Sequence, residues 1–67
     1  MNAGKLKEII EKRNTTIEFV AKAASMDRST FYRKMQPKSK GFTVAEAKQI
    51  AQVLSMSMDE ANEIFYI

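Results

Sequence analysis

The chain has no cysteine and no histidine, only one proline and two glycines, and no long apolar run in its 67 residues. Without cysteine there is no disulfide framework, and without histidine as well there is no Cys/His zinc site. A domain this small must then be held by packing alone. No apolar stretch approaches the roughly 18 residues needed to span a bilayer, and no signal peptide precedes the first helical pattern. These absences predict a soluble, cytoplasmic protein with no membrane partner. A Gly-rich phosphate loop and an obvious carboxylate pair are also missing, so no enzyme, cofactor, metal or small-molecule ligand is expected.

What remains is an apolar content of 45% and a net charge of +3. The apolar fraction suits a globular domain and is too high for a disordered tail. The charge is uneven. Residues 1–40 carry ten basic side chains against four acidic ones, whereas residues 41–67 carry Lys48 against four acids. A basic end beside an acidic one is the footprint of a nucleic-acid binder, although an unevenly charged solvated surface reads the same way.

Apolar residues recur at helical spacing throughout, and strand signals are nearly absent. The spacing predicts five helices in one all-α domain over residues 1–67. The first, residues 3–13, buries Leu6, Ile9 and Ile10. The second, residues 17–24, turns Ile17, Val20, Ala21 and Ala24 inward, capped by Thr16, or by Thr15 if Glu18 reaches back. The third, residues 28–36, is capped by Asp27 and stopped by Pro37. Capping boxes at Thr43/Glu46 and Ser57/Glu60 open the last two. These are expected to bury Val44, Ala47, Ile50, Ala51 and Leu54, and then Met58, Ala61, Ile64 and Phe65.

Residues 16–35, TIEFVAKAASMDRSTFYRKM, concentrate the function. A short helix with Ala21, Ala23 and Ala24, a tight turn at Ser25 and a capped second helix form a helix–turn–helix pair, because small residues let two helices approach closely. The second helix shows Arg28, Ser29, Tyr32 and Arg33 on one side and buries Phe31 and Met35 on the other. Arginines on the outward stripe of such a helix suit the major groove, where one guanidinium bonds guanine O6 and N7 together.

At these residues the chain resembles the lambda-repressor-like, Cro/repressor helix–turn–helix family, and especially its small phage regulators. Asp27 to Met35, DRSTFYRKM, carries the most specific part of the resemblance, followed by Phe42-Thr43 and the helix through Ile50–Leu54. The resemblance implies five helices, with the second and third binding DNA. It also implies a transcriptional regulator, a Cro-like repressor of a bacterial or phage-infected cell, that binds a double-stranded operator as a homodimer. Carried over, the base-reading positions fall on Arg28, Ser29 and Arg33, and the phosphate contacts on Thr16, Lys38 and Lys40. Tyr32 suits a thymine methyl or a phosphate, or else packing over the second helix, and Lys34 suits a further phosphate.

Ile64, Phe65, Tyr66 and Ile67 are a candidate dimer surface, unless all four close the domain's own core. Three positions depart from the family pattern. Ile17 stands where a Gln often opens the second helix, and Ser25 where the turn usually has Gly. Ile10 and Met35 replace a buried Arg–Glu pair, an exchange that is often neutral because no charge need be desolvated. A protein-binding module on the same fold, such as an antirepressor, is the competing function.

Overall fold

Each helix of the chain starts where a short polar side chain accepts a first-turn amide. In a computed structural model, which describes residues 1–65, these helices are α1 (Ala3–Lys12), α2 (Ile17–Ala23), α3 (Arg28–Met35), α4 (Val44–Val53) and α5 (Met58–Phe65). Asn2 accepts from Lys5 N, Thr16 from Phe19 N and Asp27 from Thr30 N, the last at 2.7 Å. Both expected capping boxes close. Thr43 and Glu46 bond each other's amides at 2.8 and 3.1 Å, and Ser57 and Glu60 do so at 2.9 and 3.1 Å. Satisfying these orphan donors lets helices of two or three turns persist. Thr16, not Thr15, caps α2. No strand occurs among the described residues, and no described helix is long and apolar enough to cross a membrane.

Three of the helices end in the same way, on a residue in the left-handed region that is not glycine. Asn14, Ser25 and Ser55 have φ of +54°, +59° and +52°. In each case that residue's amide bonds the carbonyl three residues back, and the next amide reaches five back: Thr15 to Ile10, Met26 to Ala21 and Met56 to Ala51, at 2.9–3.2 Å. This is the Schellman arrangement, which normally takes glycine at the left-handed position. Ser25 therefore holds the strained turn conformation rather than a relaxed one.

The core gathers one stripe from every helix: Leu6, Ile9 and Ile10; Val20, Ala21 and Ala24; Phe31 and Met35; Ile50 and Leu54; and Ile64. Ile10 and Met35, at 3% and 4% exposure, are both core residues. Two inward expectations fail. Val44 is 61% and Met58 83% exposed, because each is the first residue of its helix, where side chains lean back toward the N-terminus and past the packed face. Ile17, Ala51, Ala61 and Phe65 are only partly buried. Helix α2 packs on both α3 and α4, and α5 on α1 and α4. The α1–α5 contact is fastened by Asn2 N donating to Ile64 O at 2.8 Å and by the Lys5–Glu63 ion pair at 2.8 Å.

Candidate nucleic-acid interface

Helix α3 is fixed at both ends and along one side. At its start Asp27 takes the Thr30 amide, a bond that holds the Asp27 carboxyl below the usual range. Along its inner side Phe31 is fully buried, its ring 5.0 Å from that of Phe42, which meets Phe65 edge-on at 6.1 Å. At its end Pro37 forces Gln36 into extended backbone (φ −70°, ψ 145°), since the residue before proline is kept out of the helical region. The orphan carbonyls left there find partners. Gln36 N bonds Arg33 O, Gln36 Nε2 bonds Tyr32 O, and Ser39 Oγ lies 2.7 Å from Lys34 O. The same hydroxyl accepts from Gly41 N at 3.1 Å, where the chain turns through a φ of +79°.

On the outer side of this anchored helix, Arg28, Ser29 and Arg33 are exposed and Tyr32 is half-buried. The Arg28 guanidinium carbon lies 5.5 Å from the centroid of the Tyr32 ring. A cation over an aromatic face gains about 0.5–1 kcal/mol at an exposed site, so Tyr32 biases Arg28 toward this orientation. Among the described residues neither Arg28 nor Arg33 joins a salt bridge, with Glu18 or with any other acid. Lys38 and Lys40 are exposed on the loop that Ser39 ties to α3. Thr16 is exposed at the head of α2, its Oγ accepting from Phe19 N and its O–H left able to donate.

A helix with an outward cationic stripe, packed on the preceding helix and joined to it by a turn through left-handed Ser25, is a helix–turn–helix unit. The family model for the Cro/C1-type HTH DNA-binding domain matches residues 5–65. The chain belongs to that family. It is a DNA-binding regulator's domain, of a kind that is typically non-enzymatic. No curated protein and no solved structure matches the chain.

Two sequence-based assignments change. Ile64 is fully buried, so it belongs to the core and offers nothing to a dimer partner. Phe65 packs partly against that core and edge-on against Phe42, while Tyr66 and Ile67 lie outside the described residues. Lys34 turns its ammonium onto both oxygens of Glu46, at 2.8 and 2.7 Å, with both side chains about a quarter exposed or less. Its charge is thus paired within the protein. The same bond holds the Glu46 carboxyl below the ordinary glutamate range.

Some contributors left no sequence signal. Arg13, the residue after α1, donates from Nε to Leu54 O at 2.8 Å and lies 3.6 Å from Glu60. It thereby caps the end of α4 from 41 residues away. A groove of about 570 Å³ also opens beside Arg28 and Tyr32, lined by α1 and the head of α2.

Proposed function

We propose that this chain is a sequence-specific transcriptional regulator of the Cro-like repressor type. It inserts α3 into the major groove of an operator and binds as a symmetric homodimer in the cytoplasm of a bacterial or phage-infected cell. The observation that carries the reading is the outer stripe of α3: two exposed arginines, without acid partners among the described residues, on a helix immobilised by its cap, its core face and its tied loop. Arg28 and Arg33 each offer a forked donor to guanine O6 and N7, a contact that discriminates by about 1–3 kcal/mol. Ser29, in the first turn of α3, bonds a base edge or a phosphate. Tyr32 aims Arg28 and presents its own ring to a thymine methyl. Thr16, Lys38 and Lys40 take backbone phosphates and set the register of the helix in the groove. A second copy places an identical helix about one DNA turn, some 34 Å, away.

Selection from a random duplex pool, followed by titration of the enriched site, tests this. Wild type should enrich a guanine-containing, two-fold repeated sequence. Arg28→Ala or Arg33→Ala should relax preference at separate base pairs. A pool that stays random after selection, or two arginine variants with unchanged preference, refutes the assignment. The competing reading, a protein-binding module, draws on three exposed apolar side chains, Phe19 at 59%, Val44 at 61% and Met58 at 83%. Such a module would leave a heparin column at low salt with no steep salt dependence.

A further inference from the structure

Four cations lie on or just after α1, and three of them are engaged. Lys5 pairs with Glu63 at 2.8 Å, Lys12 with Glu8 at 3.2 Å, and Arg13 with Glu60 and the Leu54 carbonyl. Lys7 is the exception. It is exposed and, among the described residues, makes no ion pair, not even with Glu11 one turn along its own helix. It also lines the same groove as Arg28 and Tyr32, so this lysine of α1 and the first turn of α3 border one depression of about 570 Å³. The lining also includes the uncharged Ile10 and Ile17 and two acids, Glu11 and Glu18, neither of which pairs with Lys7 or Arg28.

We infer that Lys7 is a phosphate contact supplied by α1, outside the helix–turn–helix pair, and that a DNA strand entering beside Arg28 passes along this groove. The inference rests on the DNA-binding reading above. A duplex with a base edge against Arg28 must carry its phosphodiester chain over the surface next to that residue. On the α1 side of the groove, Lys7 is the cation that no acid holds. Contact there adds affinity without sequence information, since phosphates are the same at every step.

The test is a salt titration of binding by fluorescence anisotropy, with the full chain and both a selected duplex and a random one. Lys7→Ala should lower the slope of log affinity against log salt by about one, equally for both duplexes. Between 50 and 200 mM salt, wild type should then lose roughly fourfold more affinity than the variant. Lys7→Arg should restore the slope. Lys5→Ala removes the same charge from the same helix but one already held by Glu63, and it should leave the slope near that of wild type. An unchanged slope in Lys7→Ala, or an equal drop in Lys5→Ala, overturns the contact while leaving DNA binding intact. Wild type that binds neither duplex in a salt-dependent way overturns the DNA reading itself, and the two failures are thereby told apart.

Discussion

Replacing Ser25 and Ser55 by glycine should stabilise the protein, although glycine usually weakens a fold. Both serines hold φ near +55°, at +59° and +52°, at the left-handed position of a Schellman turn. There a β-carbon crowds the following carbonyl at a cost of about 1–2 kcal/mol, which glycine does not incur. Glycine brings its own penalty of about 0.4–1 kcal/mol, because the unfolded chain gains freedom. The difference leaves a gain of about 0.5–1 kcal/mol per site. The sites end different helices, α2 and α4, so the double variant should gain about 1–2 kcal/mol if the effects add. For a domain of this size each kcal/mol moves the midpoint by about 4–8 °C. Thermal melts followed by far-UV circular dichroism, with urea titrations beside them, read the change. Ser25→Ala and Ser55→Ala keep the β-carbon and should bring no gain. Ser29→Gly, inside α3, should lower stability by about 0.5–1 kcal/mol. If Ser25→Gly and Ser55→Gly lower the midpoint as Ser29→Gly does, the strain assigned to these turns is not there.

Tyr32→Leu should reduce discrimination at the base pair read by Arg28 while Tyr32→Phe preserves it, since the ring and not the hydroxyl meets the guanidinium; equal loss in both variants, measured by competition binding, would count against ring stacking. Stability should fall with acidification, and Glu46 should contribute to the fall. Its carboxyl is held low by Lys34, so its contribution is complete above the unfolded glutamate value of about 4.3 and disappears as pH drops through the lower folded value. Glu46→Gln should therefore be less stable than wild type at pH 7 and closer to it at pH 3, and parallel curves would reject the linkage. Met35→Glu should cost several kcal/mol, about 3–5, by placing an unpaired charge in the core. An unaltered urea midpoint would refute the packing described for that side chain.

The fold was legible because its rules are local. Apolar spacing, the four caps at Thr16, Asp27, Thr43 and Ser57, and Pro37 act within a few residues of where they stand. The first three helices therefore end within a residue of their expected bounds, and the last two start where their capping boxes place them. The Asn2 cap of α1 carried no such reading. The outward stripe of α3 was legible for the same reason: once Phe31 and Met35 face inward, helical geometry dictates where Arg28 and Arg33 point. Exposure of Val44 and Met58 was not legible, since periodicity does not register that the first residue of a helix overhangs its packed face. Nor were Lys34–Glu46 and Arg13–Leu54. Each joins segments 12 and 41 residues apart in sequence, and only tertiary packing decides which of many lysines and arginines meets which acid or carbonyl.

Ser39 gives the basic loop a property that charge alone would not. Lysines on a slack tether attract a duplex but tolerate any sliding of the protein along it. Here one hydroxyl ties the strap that bears Lys38 and Lys40 to the Lys34 carbonyl, which limits how far the loop backbone can change its separation from α3. In the DNA-binding reading that separation works as a ruler: gripping the sugar–phosphate rail at one mark sets which rung lies under the guanidinium at the other. Cutting the tie with Ser39→Ala should leave the grip nearly as strong while blurring the measurement.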